Sequence, residues 1–393
     1  MTFLLSAGEA SGDAYGAQLI ESLRQFSPNA TFFGMGGEKM RTGGCELLID
    51  AKDVAVVGLA EVVTHLPGIY GRFRGLVAET ASRKPDAAVL IDFPEFNLRL
   101  ARKLHALNIP VFYFVSPQIW AWRSGRVKLI QKYVRKMIVI FPFEQEFYRE
   151  HGVEVSYVGH PLAHDAPPEI ARAEFAARYQ LDAAKEWIGL LPGSRRKEVR
   201  LNLPAMLQAA RMLQERDRCF NYQYVLPVAS TLDPKWMQDQ IASAGAGVPI
   251  QLTDNSRATL KHCRAAVVAS GTATVEAALA GTPFVVVYRL AALTWLLGRR
   301  LVKLDTFAMP NLIAGRKIVR ELIQQDFTAE NILRELTDII LEGPRRRQML
   351  SDLADVRQRL GDPAGGEPPV ARAAREILGS LKTILKPASS GAR

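Results

Sequence analysis

Short apolar runs alternate with segments of helical periodicity along most of this chain. In the first half the runs are nearly continuous, as in parallel strands covered on both faces. The predicted strands are Thr2–Ser6, Thr31–Gly34, Ala87–Ile91, Val111–Val115 and Lys136–Phe141. Helices are predicted over Ser11–Phe26, with Ser11 as its N-cap, and over Leu98–Leu107. The alternation predicts a doubly wound α/β domain.

The alternation starts again after a Pro- and Ala-rich stretch that ends at Pro168. The second set of predicted strands is Trp187–Leu191, Tyr222–Leu226, Val248–Leu252, Ala265–Ala269 and Pro283–Tyr288. The predicted helices are Glu198–Gln214, Trp236–Ala244, Thr272–Ala280, Glu330–Leu341, Arg345–Leu360 and Val370–Leu385. We therefore expect an α/β chain of two Rossmann-like domains, 1–165 and 166–393, which face each other across a cleft. The C-terminal helices could pack back on the first domain.

Loops rich in glycine, hydroxyl and charged residues follow five of the predicted strands. They are Gly8–Asp13, Asp92–Asn97, Ser116–Trp122, Pro192–Arg195 and Ser270–Glu276. Open α/β sheets bind ligands outside the carboxyl ends of their strands. The five loops are therefore expected to line a ligand site that both domains contribute to.

The net charge of the chain indicates which classes of molecule could bind to it. The 393 residues include 50 Lys and Arg against 40 Asp and Glu, a net charge of +10. This excess suits nucleotide phosphates, phosphorylated substrates or an anionic membrane, whereas no motif supports nucleic acid. No apolar run approaches the ~20 residues of a transmembrane helix, and the start predicts a strand instead of a signal peptide. Three scattered cysteines predict a cytosolic protein without disulfides or a zinc site.

The loop Gly193-Ser194-Arg195 predicts an anion site. A tight turn that opens a helix exposes backbone N–H groups, and Arg195 adds a planar charge suited to phosphate. A plain strand-to-helix turn with a solvated basic run is an equally good interpretation of this loop.

The loop Ser270–Glu276 has the same placement with a hydroxyl-rich turn. Thr272 or Thr274 could cap the helix, and Glu276 could accept hydrogen bonds from ribose hydroxyls; a simple capping box is the alternative. Together with Arg195, the loop suggests recognition of a nucleotide diphosphate and a sugar.

Asp92 is the candidate general base, because a carboxylate held at a strand end can take a proton from an attacking hydroxyl. A turn former or N-cap is the structural alternative. Glu95 is the second candidate. Trp120 and Trp122 could stack on a sugar, line an acyl pocket or serve as buried anchors. For His160 a structural role is expected.

No Asp-x-Asp and no pair of His or Cys at metal spacing occurs in the sequence, which predicts metal-independent chemistry. Two basic amphipathic stretches, His65–Val77 and Arg289–Leu304, suit the surface of an anionic membrane, or helices whose apolar face packs on the core. The membrane-contact candidates are Leu66, Ile69, Arg72, Phe73, Arg74 and Leu76.

The ordered set of loops resembles the lipid A disaccharide synthase family, GT-B glycosyltransferases of Gram-negative bacteria. The matching segments are Gly8–Asp13, Asp92–Asn97, Ser116–Arg123, Leu191–Arg195, Ala269–Glu276 and Pro310–Arg316. They span nearly the whole chain in the family's order. Glu95 departs from the Asp expected there, which weakens a catalytic role for that position.

The resemblance implies an inverting transfer from UDP-2,3-diacylglucosamine to the 6-hydroxyl of 2,3-diacylglucosamine 1-phosphate (lipid X), which releases UDP. It implies Asp92 as base and Arg195 on the diphosphate. The implied donor-site residues are Gly193, Ser194, Arg195, Ser270, Gly271, Thr272, Ala273, Thr274, Glu276 and Asn311. The implied substrate-loop residues are Glu9, Ser11, Gly12, Asp13, Asn97, Ser116, Trp120 and Trp122.

No cofactor is implied. The implied partners are the two lipid substrates and the cytoplasmic face of the inner membrane, where the enzyme would be a peripheral protein; a homo-oligomer is compatible with the resemblance. Another GT-B-like enzyme on a soluble UDP-sugar, an epimerase or glucosaminyltransferase, is the alternative. A non-catalytic nucleotide-sugar sensor at the membrane is a third.

Overall fold

The computed structural model describes residues 1–54, 59–122, 124–165, 170–216, 222–245, 247–289, 306–361 and 366–385. Within these ranges the side chains of 59–66, 121–124 and 384–385 are not described. The chain divides into two compact units, which we call unit 1 (Met1–His164 with Asp362–Arg393) and unit 2 (Asp165–Gly361).

Unit 1 is built on a seven-stranded parallel sheet in the order β3-β2-β1-β4-β5-β6-β7. Its strands are β1 (Thr2–Ala7), β2 (Thr31–Gly36), β3 (Cys45–Asp50), β4 (Ala87–Ile91), β5 (Val111–Phe114), β6 (Lys136–Val139) and β7 (Val155–Tyr157). The described α-helices before the boundary are α1 (Ala10–Phe26), α2 (Glu38–Thr42), α3 (Leu59–Arg83), α4 (Pro94–Ala106), α5 (Ile119–Trp122), α6 (Val127–Tyr133), α7 (Pro142–Glu150) and α8 (Pro161–His164). Two short 3-10 helices cover Ala51–Asp53 and Ser124–Arg126.

Unit 2 repeats this architecture in a six-stranded parallel sheet of order β10-β9-β8-β11-β12-β13. Its strands are β8 (Glu186–Leu191), β9 (Tyr222–Pro227), β10 (Ile250–Thr253), β11 (Ala265–Ala269), β12 (Phe284–Tyr288) and β13 (Glu321–Ile323). Its described helices are α9 (Arg172–Arg178), α10 (Arg196–Arg216), α11 (Pro234–Ala244), α12 (Ser256–His262), α13 (Thr272–Ala280), α14 (Met309–Ala314), α15 (Ala329–Ile340) and α16 (Pro344–Leu360).

The last described helix, α17 (Pro369–Leu385), belongs to unit 1 and packs against α1. Ala373, Ile377 and Leu381 are buried in the same core cluster as Leu19 and Leu23 of α1. The strands β4 and β11 are buried along their whole length, because helices cover both faces of each sheet.

The structure confirms the predicted α/β fold class and most of the predicted elements. The pattern missed the strands Cys45–Asp50, Val155–Tyr157 and Glu321–Ile323, which lie at or near sheet edges and are only partly buried. The Ser11 N-cap was wrong: α1 begins at Ala10, and its N-cap Glu9 makes no side-chain cap bond. Among the described helices, none is long and apolar enough to cross a membrane.

Candidate active site

The loops predicted from the sequence lie at the point in each sheet where the strand order reverses. In unit 1 the strands β1 and β4 are neighbours, and the helices that follow them leave in opposite directions along the sheet. In unit 2 the corresponding pair is β8 and β11. Ligands of open α/β sheets bind at such switch points. In the described part of each unit, two of the predicted loops therefore meet at a candidate ligand-binding edge.

The backbone at Asp92 is unusual. Asp92 and Phe93 both have left-handed backbone angles, with φ of 46° and 47°, and Val115 at the end of the neighbouring strand has φ of 62°. Non-glycine residues rarely adopt this conformation, and it costs about 1–2 kcal/mol per residue. Such outliers cluster at functional sites because the surrounding structure must enforce them. The end of β4 is therefore a candidate catalytic position on backbone geometry.

Phe93 fits only because residue 8 is a glycine. A Cβ at Gly8 would lie 2.3 Å from Cγ and Cδ1 of the Phe93 ring, well inside van der Waals contact. The ring also lies 6.1 Å from that of Phe96, centroid to centroid. Gly8 and Phe93 thus couple the loop after β1 to the loop after β4.

Asn97 and Asp13, both predicted to contact substrate, are buried and bond to the protein itself. Asn97 is fully buried: its Oδ1 accepts from Ser6 Oγ at 2.6 Å, and its Nδ2 donates to the carbonyl of Asp92 at 2.8 Å. Asp13 is buried and accepts hydrogen bonds from three backbone N–H groups of the segment 37–40. Since their polar atoms bond to the backbone, these residues fix the conformation of the loops around the candidate site. In this region Ser11 is exposed, Glu9 is half-buried, and Gly12 is buried.

Glu95 is exposed and paired with Arg126, whose Nη2 lies 2.7 Å and 2.9 Å from the two carboxylate oxygens. Asp92 is half-buried and is the carboxylate at the switch point itself. The geometry favours Asp92 over Glu95 as the base.

The loop after β5 is hydrogen-bonded to two side chains of α7. Ser116 is buried, and its Oγ lies 2.8 Å from the hydroxyl of Tyr148. Trp120 is half-buried, and its indole N–H donates to Glu144 at 3.2 Å. Burial raises the pKa of the Glu144 carboxyl to about 8, against hydrogen bonds that lower it. Ser116 and Trp120 thus have protein partners, and the side chain of Trp122 lies outside the described residues.

In unit 2 the backbone of the Arg195 loop is hydrogen-bonded to the rest of the unit, whereas the Arg195 side chain is exposed. Asn202 donates to the carbonyl of Pro192 at 2.9 Å, and Thr231 donates to that of Ser194 at 2.7 Å. Gly193 has φ of 123°, a conformation that requires glycine. The Arg195 side chain is 55% exposed. The loop is thus a fixed backbone that presents a solvent-accessible cation.

A carboxylate already interacts with the N–H groups of this loop. Glu198 Oε2 accepts from the N–H of Ser194 at 3.1 Å and from that of Arg195 at 3.3 Å, and Oε1 lies 3.5 Å from the Arg195 guanidinium. In this conformation a carboxylate of the following helix therefore occupies the N–H groups that the anion-site prediction assigns to phosphate. A phosphate at the same N–H groups would have to displace Glu198.

The second loop of unit 2 begins at Gly271, with φ of 142° and open space where a Cβ would stand. The predicted Thr cap was wrong: no side chain caps α13, and the Thr274 hydroxyl donates back to the carbonyl of Gly271 at 2.7 Å. Gly271 and Thr272 are exposed at the helix start, while Ser270 and Ala273 are half-buried. Glu276 accepts from Ser256 at 2.8 Å, and burial raises the pKa of its carboxyl.

Asn311, predicted to position the donor, is fully buried. Its Oδ1 accepts from the N–H groups of Ile318 and Val319, and its Nδ2 donates to the carbonyl of Val319 and to Glu321. The side chain therefore pins the turn after α14, and a direct ligand contact is excluded in this conformation.

The predicted membrane helix packs its apolar face on the core. Leu76 is 1% exposed, and Ile69 and Phe73 pack against the core of unit 1, so Leu76 in particular cannot reach a bilayer in this conformation. Arg74 and Tyr70, which is 62% exposed, lie to one side of the apolar stripe, and the exposed Arg72 lies to the other, 3.3 Å from Asp53. The side chain of Leu66 and nearly all of the stretch Arg289–Leu304 lie outside the described residues.

Sequence reasoning missed Tyr113, Glu144 and Glu198. Tyr113 and Glu144 are buried side chains whose partners are 21 and 24 positions away in sequence. Glu198 had a local signal, since it lies four residues after Ser194 at the start of a helix, where a carboxylate suits the N-terminal N–H groups.

Comparison with known proteins gives one consistent result. A family model described as lipid-A-disaccharide synthetase matches residues 3–363. A lipid-A-disaccharide synthase of Koribacter versatilis is 57% identical over 376 residues, which cover 95% of this chain and 97% of that protein. A protein of the same name from Myxococcus xanthus is 43% identical over 376 residues, with 95% and 96% covered.

Solved structures of the same fold are far less similar in sequence. A UDP-GlcNAc 2-epimerase from Neisseria meningitidis, bound to UDP-GlcNAc, aligns with a TM-score of 0.60 at 12% identity and covers 98% of this chain and 100% of that one. A calicheamicin glycosyltransferase aligns with a TM-score of 0.56 at 17% identity, with 98% and 99% covered. These likenesses confirm the GT-B type of fold.

Proposed function

The chain belongs to the lipid-A-disaccharide synthase family, and from that membership we propose that it is an inverting glycosyltransferase that makes the lipid A disaccharide. The donor is UDP-2,3-diacylglucosamine and the acceptor is 2,3-diacylglucosamine 1-phosphate. The products are the β-1,6-linked disaccharide 1-phosphate and UDP. The single structural observation that best supports this proposal is the left-handed Asp92 at the switch point of unit 1.

The reaction is a single displacement at the anomeric carbon. The oxygen of the acceptor 6-hydroxyl attacks that carbon, and its proton passes to the Asp92 carboxylate. The bond between the anomeric carbon and the diphosphate oxygen breaks on the opposite face, so the configuration inverts and UDP leaves with the electron pair.

The leaving diphosphate is stabilised by groups of unit 2. The exposed Arg195 guanidinium supplies a permanent charge, and the exposed turn at Gly271 and Thr272 supplies backbone N–H groups at a helix start. Glu276, on the first turns of the same helix, accepts hydrogen bonds from the ribose. Glu9 and Ser11 in unit 1 contact the acceptor or the donor sugar.

The experiment is incubation of the purified protein with both acylated substrates, in parallel with a deacylated donor and with a chelator. We expect disaccharide 1-phosphate and UDP in equal amounts, unchanged by the chelator, and slow turnover of the deacylated donor. Equal turnover of the deacylated donor would favour an enzyme for a soluble UDP-sugar. UDP binding without turnover would favour a sensor.

We also propose that unit 1 meets the anionic cytoplasmic surface of the inner membrane through exposed basic side chains of α3. Arg74 is exposed on the side of Tyr70, and Arg72 is exposed across the apolar stripe, where its guanidinium lies 3.3 Å from the Asp53 carboxylate. The apolar side chains of α3 between them pack inward. The attraction is therefore chiefly electrostatic, worth about 1 kcal/mol per cation near the surface.

The double variant Arg72→Glu/Arg74→Glu should weaken binding to phosphatidylglycerol vesicles at least about tenfold in a sedimentation assay. Arg102→Glu/Lys103→Glu makes the same change in net charge at exposed positions on α4 and should bind vesicles more tightly than the α3 variant. Equal losses in both variants would reduce the effect to net charge and remove α3 from the proposal.

A further inference from the structure

Tyr113 is a buried residue with a polar end directed at the catalytic loop. It lies on β5, the neighbour of β4, and it is fully buried. Its hydroxyl donates to the backbone carbonyl of Asp92 at 2.6 Å. Burial raises the pKa of this phenol well above its usual value, so the hydroxyl keeps its proton and remains a donor. A buried hydroxyl without such a partner would be unfavourable, so the contact is a fixed part of the fold.

The peptide groups on both sides of Asp92 are held. Its N–H donates to the carbonyl of Phe114 at 3.3 Å, and its carbonyl accepts from Tyr113 at 2.6 Å and from Asn97 at 2.8 Å. When both peptide planes are fixed, φ and ψ are fixed too, and with them the direction of the bond from Cα to Cβ. The hydrogen bonds therefore determine the direction in which the Asp92 side chain leaves the backbone.

This control matters because the conformation is intrinsically unfavourable. A residue with a Cβ leaves the left-handed region unless its surroundings over-determine it. Asn97 also bonds to the carbonyls of Ser6 and Ile91, so it fastens the turn as a whole. Tyr113 instead reaches the Asp92 carbonyl from the neighbouring strand, at the closer distance of the two donors.

We propose that Tyr113 is a positioning residue for this glycosyl transfer, and that its hydroxyl acts on the reaction through the backbone of Asp92. The proposal rests on the assignment of Asp92 as the general base. Tyr113 does not touch substrate in this account; it holds the base in the one backbone conformation from which the carboxylate reaches the acceptor hydroxyl.

The test is Tyr113→Phe, which removes one oxygen atom. We expect kcat to fall about 10- to 100-fold, because misplacement of a catalytic group by about 1 Å can cost 100-fold. KM for both substrates and the Kd for UDP should stay within about twofold of the unmodified enzyme. A loss confined to kcat separates positioning of the base from a general loss of structure.

Tyr224→Phe is the matched control. Tyr224 is also buried in an interior strand, and its hydroxyl also donates to a backbone carbonyl, that of Ala210 at 2.8 Å. It lies in the sheet of unit 2. The two variants should lose similar thermal stability, whereas only Tyr113→Phe should lose kcat.

A double variant tests whether the hydroxyl acts through Asp92. In an Asp92→Asn background, Tyr113→Phe should cause no further loss of the residual rate, because the group that it positions is already disabled. A further loss of the same factor in that background would overturn the proposal. Normal kcat in Tyr113→Phe, with Asp92→Asn inactive, would also overturn it and leave the proposed function intact. Full activity of Asp92→Asn would instead overturn the assignment of the base.

If Tyr113→Phe does not fold, replacement of Tyr113 by 4-aminophenylalanine carries the test, since this residue keeps a weaker donor in the same place. We expect a folded protein with reduced kcat and unchanged KM. Unreduced kcat in that protein would contradict the proposal.

Discussion

The switch-point loops of the two units lie at the same place in the sheet topology, but they differ in how far their polar groups are bonded within the protein. In unit 1 the loops after β1 and β4 are bound to each other and to the sheet: Phe93 packs on Gly8, and Tyr113 and Asn97 hold the Asp92 carbonyl. In unit 2 the corresponding loops are anchored from below but present an exposed Arg195. The same fold thus provides two different edges. The edge of unit 1 has strained backbone angles and polar groups that bond within the protein, and the edge of unit 2 presents an exposed cation.

The difference suits the two tasks of a glycosyl transfer. A general base needs a fixed direction, since proton transfer depends on geometry. A diphosphate needs charge and backbone N–H groups in an accessible place, which a loop at a helix start provides. The comparison therefore predicts that changes in unit 1 affect turnover, whereas changes in unit 2 affect UDP binding.

The largest effect is expected from Asp92→Asn, which removes the base and keeps the size of the side chain. Turnover should fall by about 10²–10⁴-fold, the usual contribution of general base catalysis. The control is Asp86→Asn, directly before the start of the same strand, where Asp86 accepts from the N–H of Thr2 at 2.7 Å. The Asp86 variant should turn over at nearly the rate of the unmodified enzyme. If Asp92→Asn were equally active, Asp92 would be excluded from the chemistry.

Arg195→Ala should weaken UDP binding about 10- to 100-fold, since a charge-assisted hydrogen bond is worth about 1.5–3 kcal/mol. Arg196→Ala removes the next cation, which lies 5.3 Å from the ring of Trp236, and should change the Kd by less than about threefold. Isothermal titration calorimetry measures both. Equal losses would mean that the basic run acts only through its summed charge.

Gly8→Ala should impair unit 1 alone. The added methyl group must push the Phe93 ring away, and overpacking of this kind costs about 1–3 kcal/mol. We expect a lower melting temperature and a several-fold lower kcat, with unchanged UDP binding. Gly379→Ala, at an exposed position of α17 with open space around its Cβ, should slightly stabilise the protein instead. A Gly8→Ala enzyme with normal kcat would show that the Phe93 contact is dispensable.

The smallest effect on turnover is expected at Glu144, whose change affects stability and its dependence on pH. Its pKa is raised to about 8, from an ordinary value near 4.5. Between these values the unfolded chain releases the proton while the folded protein retains it, so the contribution of Glu144 to stability falls as pH rises. The free energy of unfolding of Glu144→Gln minus that of the unmodified protein should therefore rise from pH 5 to about pH 8.

The control for this series is Glu146→Gln, an exposed position on the same helix, whose relative stability should change less with pH. Chemical denaturation at several pH values gives the comparison. A flat difference for Glu144→Gln would contradict the raised pKa.

Much of this site was predictable, because the chain places its chemistry where apolar strands end. The loops around Asp92, Arg195 and Gly271 could be located from strand periodicity and glycine positions alone. The backbone contacts of Asn97 and Asn311 could not be predicted, because a polar loop residue that binds a ligand and one that binds the backbone look the same in sequence. The left-handed angles of Asp92 and Phe93 carry no sequence signal, since the contacts that enforce them come from Tyr113 and Gly8, distant in the chain.

The amphipathic pattern of α3 was real, but it did not reveal which face was available. Leu76 and Phe73 satisfy the pattern by packing on the core of unit 1, and the charged side chains to either side of them remain exposed. Periodicity identifies an apolar face; only the tertiary structure shows what covers it.

The division of labour between the two units is tested most directly by titrating UDP into Asp92→Asn and Arg195→Ala side by side. We predict that Asp92→Asn binds UDP with the affinity of the unmodified enzyme while it fails to turn over, and that Arg195→Ala binds at least about tenfold more weakly. Equal loss of UDP affinity in both variants would contradict the separate roles of the two loops.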